Sequence, residues 1–312
     1  MKYPEIQPYK TAFLPRGQHK IYYELSGNPE GVPIVFLHGG PGSGTSAWQR
    51  QFFNPEKYQI ILLDQRGCGQ SIPHGCLAQN TTSDLVEDLH ALKEQLGHQK
   101  WHVFGGSWGS TLALAYADQY PEDFLSVVVY GVFLCREREL FNMYEKGGVS
   151  SVVFADVFED FANVLPTEQQ GHIIQNYHRI FQTGEQKLKK KALQAWTKWE
   201  LCISRLEVDE AALNAQMENA DYVLSHSLIE NHYFVNKGFI DGDAILKTIG
   251  QKTQDFPVHI VQGRYDMVCP FETAYQLHKA VPHSQLYVIG NAGHTAKEQR
   301  TTQKITEILD QL

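Results

Sequence analysis

The residues with the clearest chemical potential are Gly105-Gly106-Ser107-Trp108-Gly109. They match G-x-S-x-G, the sharp strand-to-helix turn that lifts a serine hydroxyl above a parallel sheet. The flanks distinguish this match from a chance Gly/Ser-rich turn. Trp101-His102-Val103-Phe104 before it is short, apolar and β-prone, and Ser110 to Ala117 after it is helix-like with small residues near its start. Small residues beside the serine suit a tight turn whose helix must pack close to the strand.

A serine hydroxyl at neutral pH is a poor nucleophile, so it needs a base within hydrogen-bond reach and a group that orients the base. On such a turn the partners follow in the order serine, acid, histidine. They sit on loops at the C-terminal ends of strands, where the sites of open α/β sheets collect. Asp266 fits the acid, in the loop Gly263-Arg264-Tyr265-Asp266-Met267-Val268-Cys269-Pro270 after the strand pattern at 257–262. Asp255 competes, but it precedes that strand and so falls at the wrong end. His294 fits the base, because it follows the strand pattern at 284–289 on the loop Gly290-Asn291-Ala292-Gly293-His294-Thr295.

The other half of such machinery is a pair of amide donors for the oxyanion. His38-Gly39-Gly40-Pro41-Gly42 follows the strand pattern Ile34-Val35-Phe36-Leu37, and backbone N–H groups approach a substrate oxygen most closely where side chains are missing. The N–H of Trp108 is one candidate donor, and Gly39 and Gly40 are both candidates for the other.

Elements that must position these residues follow from periodicity. Strand patterns at 34–37, 58–64, 101–104, 124–130, 257–263 and 284–289 alternate with helix patterns at 82–96, 108–119, 271–280 and 296–312. That alternation predicts a mostly parallel sheet with helices on both faces. From about 132 to 241 the texture is purely helical; over 187–206, Leu188, Ala192, Trp196, Trp199, Ile203 and Leu206 form one stripe. We therefore expect a discontinuous α/β domain of residues 1–131 and 242–312 with a helical cap, 132–241, inserted over the sheet.

Composition excludes several function classes. The 312 residues carry a formal charge of −8, which argues against nucleic-acid binding through a basic patch. No apolar run reaches the ~20 residues of a membrane span, and the N-terminus has no signal-peptide pattern, so a cytoplasmic protein without membrane association is expected. Five scattered cysteines read as free thiols in a reducing compartment. Among the 14 His there is no H-E-x-x-H, and no cysteines pair at zinc spacing, so no metal site is indicated.

Four segments together carry a resemblance. His38-Gly39-Gly40-Pro41-Gly42, Asp64-Gln65-Arg66-Gly67-Cys68-Gly69-Gln70-Ser71, Gly105 to Ser110 and Gly263-Arg264-Tyr265-Asp266 resemble the proline iminopeptidases of the α/β-hydrolase fold. The similarity runs through almost the whole chain, including Trp199-Glu200 and Ile229-Glu230-Asn231-His232-Tyr233-Phe234 in the helical insertion. It implies a cofactor-free serine exopeptidase that releases N-terminal proline from small peptides. The family's triad falls on Ser107, Asp266 and His294, and the acidic residues that hold the substrate's amino end fall on Glu200 and Glu230. Its proline-pocket aromatics fall on Phe133, Tyr144 and Phe234. Departures at Ser43, Leu201 and Thr295 touch pocket shape and no triad side chain.

The two glutamates make physical sense in that role. A prolyl N-terminus is a secondary ammonium with two N–H donors, and acidic groups in a water-poor pocket want a cationic partner. Spacing alone would read both as solvated helix residues; Glu230 and Phe234, four apart, do share a helix face. Cys269 reads equally as a thiol able to block the pocket or as a small buried apolar residue, and Arg66 as a loop-holding residue. Two alternatives stay open on the residues alone. One is another α/β hydrolase (a broader aminopeptidase, amidase or esterase); the other is a non-catalytic ligand-binding protein of the same fold. Epoxide and haloalkane hydrolases are disfavoured, because their turn carries Asp where Ser107 stands.

Overall fold

The computed structural model describes residues 2–312. Apolar runs become eight strands: β1 (Lys10–Arg16), β2 (His19–Gly27), β3 (Val32–Leu37), β4 (Tyr58–Leu63), β5 (Trp101–Gly106), β6 (Phe124–Tyr130), β7 (Val258–Gly263) and β8 (Gln285–Ile289). They form one sheet in the order β1-β2-β4-β3-β5-β6-β7-β8. β2 runs antiparallel to both β1 and β4, and every other neighbouring pair is parallel.

Strand side chains point to opposite faces in turn. Val35, Leu37, Ile61 and Leu63 enter one core with α1 (Thr82–Gln95) and α2 (Trp108–Gln119), which also takes in α10 (Gly242–Lys252) and α11 (Phe271–Ala280). Ile34, Phe36, Ile60 and Leu62 enter the other, with the short helical turn 47–52 and α12 (Gln299–Gln311). Both faces of the sheet are therefore covered, which the near-continuous apolar strands require.

Between β6 and β7 the chain forms α3 (Glu137–Tyr144), α4 (Val149–Val153), α5 (Ala155–Ala162), α6 (Ile173–Thr183), α7 (Gln186–Ile203), α8 (Glu210–Glu218) and α9 (Ala220–Val235), with no strand among the described residues. An aromatic cluster holds them. Trp196 stacks on Tyr144 at 4.5 Å and Trp199 on Phe161 at 5.4 Å. Such pairs contribute about 0.5–1.5 kcal/mol each beyond area burial.

The structure departs from the periodicity reading in places. β1 and β2 are not distinct strand patterns in the sequence: β1 buries only Leu14 and draws its order from pairing along β2. The helix expected over 187–206 stops at Ile203, and Leu206 is exposed. The terminal helix begins at Gln299, after a turn in which Thr302 Oγ1 donates to the Ala296 carbonyl at 2.5 Å.

Candidate active site

The parallel register brings the C-terminal ends of the strands to one edge: Leu37 lies opposite Leu63 and Gly105, Gly106 opposite Tyr130, and Gly263 opposite Ile289. The segments starting at 38, 64, 107, 131, 264 and 290 therefore leave the sheet on the same side.

Ser107 joins β5 to α2 with φ 55° and ψ −128°, a left-handed conformation that costs a non-glycine residue about 1–3 kcal/mol. Its N–H donates to the Tyr130 carbonyl at 3.0 Å. A Cβ on Gly105 would stand 2.2 Å from the Gly109 carbonyl oxygen, and one on Gly109 2.0 Å from that of Leu37. Close packing of strand against helix thus explains both glycines and leaves the serine hydroxyl at the edge of the sheet.

Asp266 and His294, on the loops after β7 and β8, meet: His294 Nδ1 donates to Asp266 Oδ2 at 2.8 Å, and both residues are buried. The carboxylate is held at both oxygens. The N–H groups of Val268 and Cys269 donate to Oδ1 at 3.0 and 2.7 Å, and Gln262 Nε2 donates to Oδ2 at 3.0 Å. Burial pushes the His294 imidazolium down, but the Asp266 charge and hydrogen bond, with Glu200 and Glu298 farther off, lift it above its ordinary value. Gly131 lies against this pair; a Cβ there would be 2.8 Å from His294 Cε1.

The His38–Gly42 loop is fastened by the segment after β4. The backbone N–H of Gln65 donates to His38 Nε2 at 3.0 Å, and its side-chain amide donates to the His38 carbonyl at 2.9 Å. Trp108 Nε1 donates to Gln65 Oε1 at 2.9 Å, so one glutamine ties the glycine loop to the serine turn. Burial holds His38 below its ordinary value and hence neutral at pH 7, with Nδ1–H donating to the Gly39 carbonyl at 2.9 Å. Because C=O and N–H of a trans peptide point oppositely, the N–H of Gly40 is turned away from His38. Arg66 clasps Asp88 through Nε at 2.6 Å and Nη2 at 2.7 Å, and it holds the loop as expected.

Glu200 on α7 and Glu230 on α9 are both buried, against the solvated-helix reading that spacing alone favours. Trp196 Nε1 donates to Glu230 Oε2 at 2.6 Å, and the Tyr144 hydroxyl lies 3.0 Å from Glu230 Oε2 and 3.4 Å from Glu200 Oε2. Burial and the neighbouring Glu200 charge push the Glu230 carboxyl well up. Burial also pushes Glu200 up, but the His226 charge and hydrogen bonds outweigh it and hold Glu200 below its usual value. The two carboxyls titrate as a pair, in which burial beside a like charge makes Glu230 the member that takes up a proton more readily.

Phe133, Tyr144 and Phe234 are buried together, with Phe234 at 5.7 Å from Phe133 and 5.6 Å from Tyr144. They do not line the main cavity. That cavity, about 710 Å³, is bounded by Ser107, His294, Gly39, Gly40, Glu200 and Tyr222, among others. Cys269 is buried, and burial holds its thiol protonated, as the bland reading of that residue expects.

The sequence reading missed three groups. Gln262 and Gly131 position the acid–base pair but belong to no motif. His226 stands between the glutamates, with Nε2 3.3 Å from Glu200 Oε2 and Nδ1 3.8 Å from Glu230 Oε2. Its place four residues before Glu230 on one helix was the available signal.

A family described as alpha/beta hydrolase fold matches residues 32–301. A probable proline iminopeptidase of Leptolyngbya boryana is 44% identical over 297 residues, covering 95% of this chain and 92% of that protein. The chain belongs to the proline iminopeptidase family of α/β hydrolases. Other relatives in this family are the proline iminopeptidases of Neisseria gonorrhoeae, 44% identical over 93% of this chain and 92% of that protein, and of Arabidopsis thaliana, 43% identical over 95% and 78%. Among solved structures, a putative aryl esterase from Burkholderia cenocepacia superposes with a TM-score of 0.66 at 16% identity, covering 98% of both chains. At that identity the likeness concerns the fold alone. No helix of this family member is long and apolar enough to cross a membrane among the described residues.

Proposed function

We propose that the chain releases proline from the amino end of small peptides, with Ser107, His294 and Asp266 as the catalytic triad. The observation that carries this reading is that Glu200 lines the same cavity as Ser107 and His294. A charged anchor beside the nucleophile suits an enzyme that must find a free amine next to the bond it cuts. Residues 132–241 act as a cap domain over the α/β domain, and the five free thiols suit a cytoplasmic protein.

The chemistry follows from the groups present. The prolyl ammonium enters with its charge opposite the Glu200 carboxylate and its second N–H toward Glu230, which buried aromatics orient. Phe133, Tyr144 and Phe234 pack outside the cavity wall, where the Tyr144 hydroxyl fixes the two glutamates, so the ring itself is seated within the cavity. Ser107 Oγ attacks the prolyl carbonyl, while His294 Nε2 takes its proton; Nδ1 is already engaged by Asp266. The oxyanion is met by the N–H groups of Trp108 and Gly40. Gly40 is favoured over Gly39 because the Gly39 carbonyl is turned onto His38. Each such donor contributes about 10²–10³ in rate. His294 then protonates the leaving amine, and water, activated by the same imidazole, releases proline from the acyl-enzyme. The chain supplies nucleophile, base and donors, so the reaction calls for no cofactor.

The test is hydrolysis of prolyl-β-naphthylamide beside its N-acetylated form, with Ser107→Ala as control. Cleavage of the free-amine compound alone, abolished in the variant, supports the proposal. Equal cleavage of both compounds, or of simple esters only, would keep a serine hydrolase and discard the aminopeptidase.

A further inference from the structure

The group that the proposed reaction does not use is His226. It is 1% exposed and lies on α9 one turn before Glu230, facing Glu200 from α7. Its Nδ1 has no hydrogen-bond partner, and neither has Glu230 Oε1. Buried polar atoms without partners are rare and ask for an explanation. One donor atom from each of Glu200, His226 and Glu230 lies within 4.8 Å of the others.

We propose that Glu200, His226 and Glu230 form a divalent transition-metal site, with zinc as its best occupant, that closes the amine pocket reversibly. Zinc bonds of ~2.0–2.2 Å to nitrogen and oxygen in a tetrahedron place ligand atoms roughly 3.4 Å apart. The unpartnered His226 Nδ1 lies 3.8 Å from Glu230 Oε2, close to that spacing, and all three donor atoms lie within 4.8 Å of one another. Glu230 completes the set by turning its carboxylate, one oxygen of which nothing restrains. Glu200 lines the cavity, so an ion reaches the site from that side.

The donor set selects the ion. One imidazole with two carboxylates suits zinc and its transition-metal neighbours. Calcium wants six to eight oxygens, and magnesium keeps most of its waters. The His226–Glu230 spacing on α9 hints at half of the site, and only packing brings Glu200 of α7 to it. A metal there occupies the carboxylate that the substrate ammonium needs, so it competes with substrate and leaves the triad intact. That inhibitory role rests on the amine-binding reading proposed above; the metal site itself does not.

Zinc affinity is measured on the full chain by competition against a chromophoric chelator, in wild type, His226→Gln and His226→Leu. Removal of one ligand should weaken binding at least about tenfold, the lower end of what loss of even an outer partner costs. In parallel, the KM for prolyl-β-naphthylamide at free zinc ten times its Kd should rise about elevenfold with kcat unchanged, as simple competition dictates. Zinc binding that is absent, or equal in all three proteins, would overturn the site and leave the amine reading standing. Binding that depends on His226 without a change in KM would overturn the inhibitory role and the amine reading together. Should the variants fail to fold, cobalt(II) added to wild type decides: nitrogen and oxygen ligation supports the site, whereas a thiolate-to-cobalt charge-transfer band would move the metal to a cysteine and overturn it.

Discussion

Replacing the two cap glutamates by glutamine should have unequal effects, and the inequality follows from their surroundings. Burial beside the Glu200 charge pushes the Glu230 carboxyl well above its usual value, so it takes up a proton more readily than Glu200. Its Oε2 accepts from Trp196 and Tyr144, while Oε1 has no partner. A glutamine keeps the accepting oxygen and replaces the O–H of the protonated acid by an N–H, so Glu230→Gln changes shape and charge little. Glu200, held below its usual value by His226, is the more acidic of the two. Glu200→Gln leaves the prolyl ammonium in a buried pocket without a counter-charge, and breaking such a pair costs about 2–5 kcal/mol. With 1.36 kcal/mol per tenfold, kcat/KM for a free-amine substrate should fall roughly 30-fold or more in Glu200→Gln and less than about tenfold in Glu230→Gln. The assay is the steady-state kinetics of prolyl-β-naphthylamide at pH 7. An equal loss in the two variants, or a larger one in Glu230→Gln, would refute the proton assignment; full activity in both would refute the amine clamp.

The acid–base pair, its glycine neighbour and the loop-holding ion pair give further expectations. Asp266→Asn should lower kcat by about 10⁴, the cost of losing the orienting carboxylate in a serine triad. In the native enzyme His294 is raised above ~6.5, so it stays protonated to higher pH, and kcat/KM must fall as pH drops through that raised value. Removal of the Asp266 charge should move this acid limb of the pH–rate profile downward; an unmoved limb would mean another group sets it. Gly131→Ala puts a methyl 2.8 Å from His294 Cε1 at a φ of +54°, and a displaced imidazole should cost about 10²-fold in kcat, read against an unchanged fold by circular dichroism. Arg66→Ala strips the buried Asp88 of its bidentate partner and leaves it only Arg16 Nε at 2.9 Å, so it should lower unfolding stability by about 1–3 kcal/mol in denaturant titration; a change under ~0.5 kcal/mol would make the pair dispensable.

What the sequence could reveal followed local physics. Ser107 stands out because the turn's steric demands force glycines at fixed positions around it, and the strand-end rule separates Asp266 from Asp255. The α/β pattern was legible because strands buried on both faces, such as β3 and β4, are continuous apolar runs. β1 was not, since a strand with one buried residue has no periodicity to read; its order comes from β2. The burial of Glu200 and Glu230 was equally hidden. Spacing marks them as polar positions on helices, and only the packing of α7 against α9 turns them inward beside His226. The orientation of the Gly39 carbonyl, which favours Gly40 as a donor, depends on the neutral state of His38 and on Gln65, contacts made between separate loops.

The central claim is that Ser107 carries a prolyl group whose amine is free. The most direct measurement is acid quenching of the enzyme during turnover of an activated prolyl ester, followed by intact and peptide mass spectrometry. The account predicts an adduct of one prolyl residue on Ser107, absent in Ser107→Ala and strongly reduced for the N-acetyl ester. A prolyl adduct on another residue, or equal trapping of the acetylated compound, would contradict it.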